Sequence, residues 1–106
     1  MALSKVQKDV DDWVQQYKVP YWQPLEQMAH LTEEIGELAR EMNHRFGPKK
    51  KKSSEDVKEI GDEMGDMIFT LCCIANALNI DLSQAWSKVM ERRYGRDNER
   101  YEKKQI

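Results

Sequence analysis

Residues 59–78 read EIGDEMGDMIFTLCCIANAL. Apolar side chains at Val57, Ile60, Met64, Met67, Leu71, Ile74 and Leu78 recur every three or four residues, the period of one helix face. No alternating β pattern competes. The first half of the segment is amphipathic, but MIFTLCCIANAL (67–78) is apolar on nearly every side. A helix that is apolar all round must be buried all round. A single layer of three other short helices does not supply that cover. The stretch therefore predicts an all-α chain that assembles as a homo-oligomer, a homodimer or homotetramer.

The helical period continues on both sides. HRFGPKKKKSS (44–54) interrupts it with Gly47, Pro48 and the Lys49–Lys52 run, which reads as a solvated loop. Ser53 or Ser54 is expected to cap the helix that follows, with Glu55 and Asp56 near its positive end. That helix should run to about Leu78. Upstream, Met28, Leu31, Ile35, Leu38 and Met42 form the stripe of a helix opened by Pro24 and closed near Asn43. Val6, Val10, Trp13, Val14 and Tyr17 outline a first helix with Ser4 as its cap, separated from the second by KVPYWQP (18–24). Asp81 opens a capping-box-like Asp-x-x-Gln ahead of a fourth helix bearing Leu82, Ala85, Trp86, Val89 and Met90. The expected architecture is one four-helix, bundle-like domain over 1–106, with its core at about 20–100 and a charged tail from about 97.

Composition narrows the function classes. The 106 residues are 40% hydrophobic and 34% charged, enough apolar material for one core. Net charge is −2, so no specific nucleic-acid binding is expected. The start, MALSKVQKDV, lacks an apolar signal core, and adjacent Cys72 and Cys73 make no disulfide framework, so a cytoplasmic setting is expected. The longest apolar run, 67–75, is far short of the roughly 20 residues that span a bilayer, so no membrane is expected.

The acids point to chemistry. LTEEIGEL holds Glu33, Glu34 and Glu37, and EIGDEMGDM holds Glu59, Asp62, Glu63 and Asp66. Like charges three or four residues apart repel across one helix face, at a cost of a few tenths of a kcal/mol per pair. Two such clusters on neighbouring helices would gather several carboxylates in one pocket. A divalent cation resolves that repulsion, and all-oxygen ligation points to Mg²⁺, with Mn²⁺ as substitute. An isolated Glu-x-x-Glu is commonly a solvated face. Here mid-helix Gly36, Gly61 and Gly65 accompany the acids, each costing about 0.8–1.0 kcal/mol relative to Ala, and glycine admits a close neighbour. Helix geometry separates the acids further. Glu34 lies about 70° from the centre of the Met28–Met42 stripe, Glu37 about 130° and Glu33 about 170°. Glu63 lies about 80° from the next helix's stripe, Asp66 about 140°, and Asp62 nearly opposite it.

EEIGEL followed by EMGD resembles the EExxE…ExxD signature of the MazG-like nucleoside triphosphate pyrophosphohydrolases, members of the all-α NTP pyrophosphatase superfamily. The Trp22 segment, the apolar run after EMGD, and the turn Asn79-Ile80-Asp81-Leu82 into a basic last helix are similar too. The resemblance covers about residues 20–100. It implies a Mg²⁺-dependent enzyme that cleaves (d)NTPs between the α- and β-phosphates, releasing (d)NMP and pyrophosphate, with a house-cleaning role. It maps Glu34, Glu37, Glu63 and Asp66 onto the metal ligands and Glu33 onto an auxiliary acid. Glu34, supported by Glu37, is the candidate to orient water and accept its proton.

Cations should complete a phosphate site. The fourth helix's stripe continues into Arg92, Arg93 and Arg96, and Lys88 and Asn98 are further candidates, because Arg grips phosphate bidentately. The competing reading is a solvated basic tail. Trp22 and Tyr21 could stack on a base or pack in the core. His30, four residues before Glu34, could touch substrate or lie at the surface. Cys72 and Cys73 read as core. Two other functions compete. A non-catalytic helical interaction module would leave the acids as surface, and a di-iron bundle needs Glu-x-x-His pairs that His30 and His44 do not supply.

Overall fold

The computed structural model describes residues 2–48 and 59–105. Four helices follow one another, α1 (Ala2–Val14), α2 (Pro24–Phe46), α3 (Ile60–Ala77) and α4 (Leu82–Tyr94). No strand occurs among the described residues, so the all-α expectation holds. No single helix among them is long and apolar enough to cross a membrane.

The helix ends follow local chemistry. Pro24 opens α2 behind Gln23, whose backbone N–H donates to the Glu26 side chain at 3.0 Å. The helix runs past Asn43 to Phe46, where the Gly47 N–H donates to the Asn43 carbonyl at 2.9 Å. Asp81 caps α4, accepting from the Ser83 and Gln84 N–H groups at 2.9 and 3.4 Å. Between α3 and α4, Asn79 takes a left-handed φ of 56°, and Ile80 N–H reaches back to the Ala75 carbonyl at 2.8 Å. That pairing is the Schellman closure, with Asn in the position glycine usually fills.

Two boundaries differ from expectation. Ser4 lies inside α1, where its hydroxyl pairs with that of Ser83 at 2.8 Å and ties α1 to α4. Helix α3 begins only at Ile60, with Glu59 extended before it. The proposed caps Ser53 and Ser54, Glu55, Asp56 and Lys49–Lys52 lie outside the described residues.

Helix α3 is the centre of the molecule, packed on α2 and on α1, while α4 packs chiefly on α1. Val10 and Val14 of α1 meet Cys72 and Cys73 of α3 in the core, flanked by Val6, Tyr21 and Leu82. The cysteines are core residues, as expected. A hydrogen-bond network locks the same junction, with Tyr21 Oη donating to Asp11 at 2.5 Å and Asn76 Nδ2 donating to Tyr21 Oη at 3.1 Å. Burial, and then the Asp11 partner, push the Tyr21 hydroxyl up to about 12.

The inward face of α2 is the main correction. Its buried residues are Gln27, Leu31, Glu34 and Glu41. Their centre is rotated about 60° from the Met28–Met42 stripe toward the acids. Met28, Ile35 and Met42 stay 48%, 48% and 42% exposed. On α3, Ile68 and Leu71 are likewise about half exposed, as is Trp86 on α4. The hydrophobic period of the sequence therefore marks more apolar surface than the described residues of this chain bury.

Candidate active site

The packing of α2 on α3 brings two acids inward. Glu34 is 6% exposed and Glu63 only 1%. On α2, Glu34 follows Gln27 by seven residues and so shares its face; on α3, Thr70 follows Glu63 by the same interval. The Thr70 hydroxyl donates to Glu34 Oε1 at 2.5 Å across the helix pair. His30 Nε2 stands 3.5 Å from the same oxygen, one turn earlier on α2. This contact ties His30 to Glu34 and leaves its ring partly exposed.

The remaining acids grade outward. Glu37 is half-buried, while Glu33, Asp62 and Asp66 are exposed in the single chain. Among the described residues, no three Asp, Glu, His or Cys side chains converge on one metal-sized point. A Cβ added at Gly36, Gly61 or Gly65 would meet nothing within 4 Å. Among the described residues, the close approach anticipated at these glycines is therefore not made.

Beside the acids lies a cavity of about 310 Å³. Its aromatic lining comes from Trp13, Tyr17, Trp22 and Phe69. Trp13 meets Phe69 edge to face with centroids 5.7 Å apart and Tyr17 at 4.9 Å. Trp22 meets His30 edge-on at 5.7 Å, so the ring beside Glu34 is also part of the cavity wall. Gln27, Thr70 and Cys73 add polar lining. Burial, then Cys72 and Glu34, push the Cys73 thiol up to about 11, which keeps it protonated at neutral pH. His30 and Thr70 line the cavity and also contact Glu34, so they link the two.

The sequence points to Trp22 and His30 as candidates, while Trp13 and Tyr17 enter only as part of the first helix's stripe and Gln27 and Thr70 are not singled out. The available signal was a polar Gln27 in register with Leu31 and Glu34, where a core position would be apolar. Tyr17 lies past the end of α1, in the turn, and both it and Trp13 are about half exposed because the cavity is open.

The basic residues stand elsewhere in the chain. Arg96 grips the buried Asp97 with Nε at 3.0 Å, and Arg93 and Arg100 approach it at 3.5 and 3.7 Å. The hydrogen bond from Arg96 holds the Asp97 carboxyl below the usual carboxylate range. Lys88 borders a shallow hollow with Asp81, Gln84 and Ser87, and Asn98 donates to Glu99 at 3.5 Å. Arg92 is exposed on the last turn of α4. Because α4 packs chiefly on α1, one chain does not gather these groups around Glu34 and Glu63.

Residues 23–101 match the MazG nucleotide pyrophosphohydrolase domain family. The chain is 47% identical over 104 residues to the uncharacterized protein YpjD of Bacillus subtilis (strain 168), covering 98% of this chain and 94% of that protein. It is similar to the crystal structure of YPJD from Bacillus subtilis, described as a candidate pyrophosphatase, with a TM-score of 0.76 and 49% identity over 85% of this chain and 92% of that one. The crystal structure of a Bacillus-conserved MazG protein, a nucleotide pyrophosphohydrolase, gives a TM-score of 0.73 and 44% identity over 85% and 86% of the two chains.

Proposed function

Because the chain belongs to the MazG nucleotide pyrophosphohydrolase family, we propose that it hydrolyses (d)NTPs between the α- and β-phosphates, giving (d)NMP and pyrophosphate. The burial of Glu34 and Glu63 on facing helices, beside an aromatic cavity sized for a base, is the observation that supports this reading. A buried pair of acids is costly unless something positive or hydrogen-bonding meets it.

The donor set fits a hard divalent cation, since Glu34, Glu37, Glu63 and Asp66 offer only oxygens. These four residues would hold Mg²⁺, or Mn²⁺ in its place, with Glu33 as an auxiliary acid. Bound there, the ion supplies charge neutralisation on the phosphate oxygens. The chain's own groups do the rest. Thr70 fixes the Glu34 carboxylate through Oε1. Oε2 is then the oxygen proposed to orient water and accept its proton. Trp22 and His30, with Trp13, Tyr17 and Phe69, hold the base away from water.

Lys88, Arg92, Arg93, Arg96 and Asn98 are proposed to meet the triphosphate. Since α4 packs on α1, they would do so from a neighbouring copy of the chain. A homodimer or homotetramer also covers the apolar side chains that one chain leaves open, Met28, Ile35 and Met42 on α2 and Ile68 and Leu71 on α3. Cytoplasmic removal of unwanted (d)NTPs is the role that fits this activity.

The test is product analysis by ion exchange on a (d)NTP panel. With Mg²⁺, at least one substrate yields monophosphate plus pyrophosphate, and Ca²⁺, with its looser geometry, supports this poorly. Nucleoside diphosphate plus orthophosphate would overturn the reading.

A further inference from the structure

We infer that the Gln27 carboxamide reads the hydrogen-bonding edge of the nucleobase and sets the base preference of the site. This rests on the nucleotide reading above and deepens it.

Gln27 is 6% exposed and lines the aromatic cavity. Among the described residues, no hydrogen bond engages its carboxamide, although Gln23, Glu26 and Thr70 nearby are all paired. Its polar atoms are not sealed off, so the carboxamide keeps access to the cavity it lines, where Leu or Met would be the ordinary wall residue. Its donor and acceptor are both left for a ligand in that cavity. The carboxamide places a donor and an acceptor side by side, which is the pattern that pairs bidentately with a base edge. The π-faces of the surrounding rings hold any base with little regard to its identity. Trp13, Trp22 and Tyr17 add single polar handles, whereas Gln27 alone among the cavity's lining residues presents an amide donor and acceptor side by side.

Position along α2 agrees. Gln27 and Glu34 lie seven residues apart on one face, so their Cα atoms are about 10 Å apart. One nucleoside bridges such a gap, its base edge at Gln27 and its α-phosphate at the acids. Thr70 is committed to Glu34 and His30 leans on the same oxygen. Gln27 is the polar wall residue left for the base.

The test uses two variants of nearly unchanged size, Gln27→Met, which removes both hydrogen-bonding functions, and Gln27→Glu, which keeps only acceptors. Binding of free nucleosides is read by quenching of Trp13 and Trp22 fluorescence, and kcat and KM are measured across the (d)NTP panel. In Gln27→Met the preferred nucleoside should bind about tenfold more weakly, and kcat/KM for its triphosphate should fall about tenfold, mostly through KM. The spread among bases should shrink accordingly. Gln27→Glu should reorder the panel toward bases that present two donors. A Gln27→Met protein with the wild-type base ranking and spread overturns the inference, as does a Gln27→Glu protein with that ranking if Gln27→Met fails to fold. The two readings fail separately. If no triphosphate is cleaved but nucleoside quenching depends on Gln27, the base-reading role stands and the hydrolase reading falls. If triphosphates are cleaved while nucleoside binding ignores Gln27, the reverse holds.

Discussion

Replacing Thr70 by Val tests whether the α2–α3 contact at Glu34 is the polar joint it looks to be. The side chains have nearly the same volume, so the change removes one hydroxyl and leaves no cavity. That hydroxyl donates to Glu34 Oε1 at 2.5 Å, and both residues are buried, Thr70 at 2% exposure and Glu34 at 6%. A hydrogen bond to a carboxylate contributes about 1.5–3 kcal/mol, and a buried acceptor deprived of its donor retains its desolvation cost. His30 does not replace the lost bond, because its Nε2 is already 3.5 Å away and the ring is partly exposed. For a chain of this length, 1.5–3 kcal/mol corresponds to a fall in Tm of about 6–13 °C at fixed protein concentration. The decisive comparison is a double-mutant cycle with Glu34→Leu. Replacing both partners by apolar groups removes the orphaned acceptor and the orphaned donor together, so Glu34→Leu/Thr70→Val should be at least as stable as either single variant. Thermal melts followed by circular dichroism read all four proteins. A Thr70→Val melt within about 2 °C of wild type, or the same cost with and without Glu34, would refute the reasoning.

Three further outcomes follow from other parts of the fold. Asp97, held below the usual carboxylate range by Arg96, contributes stability that is present above that range and lost as pH falls through the folded-state value; the Tm gap between wild type and Asp97→Asn should be full at neutral pH and close below about pH 4. Equal gaps at pH 7 and pH 3 would contradict this. Cys73, pushed up to about 11 and buried, should react with a thiol reagent at pH 8 only after unfolding, and rapid labelling of the native protein would count against the core assignment. Light scattering at micromolar concentration should give a dimer or tetramer that Ile68→Glu or Leu71→Glu weakens, whereas a wild-type monomer would remove the assembly argument.

Much of this was legible in the sequence, for definite reasons. Helix number and order followed from the three- and four-residue period, and the caps at Pro24 and Asp81 follow from chemistry confined to a few neighbouring residues. The acidic motifs sit on two helices that do pack together, α2 and α3. What periodicity could not give was the face of α2 that turns inward. Met28, Ile35 and Met42 make the better hydrophobic stripe, yet Gln27, Glu34 and Glu41 are buried in their stead. A sequence pattern reports which side chains are apolar, without saying which of them the chain's own core takes up. The aromatic cavity escaped notice for a related reason. Trp13 and Tyr17 fit a core stripe as well as a ligand wall, and only the turn after Val14, together with Phe69 from α3, shows them lining an opening. Arg93 and Arg96 looked like phosphate ligands by type, while the chain itself engages both with Asp97.

The central claim, that the acids of α2 and α3 form a metal-dependent hydrolytic centre, is tested most directly by pyrophosphate release from isosteric acid variants. Glu34→Gln, Glu37→Gln, Glu63→Gln and Asp66→Asn should each abolish most turnover while the protein stays folded, and loss of the buried charge at Glu34 or Glu63 should raise Tm in metal-free buffer. Glu33→Gln should fall between these and wild type, and Asp62→Asn should stay closest to it. If Asp62→Asn is as damaging as Asp66→Asn, or if Glu34→Gln and Glu63→Gln turn over like wild type, the proposed centre is wrong.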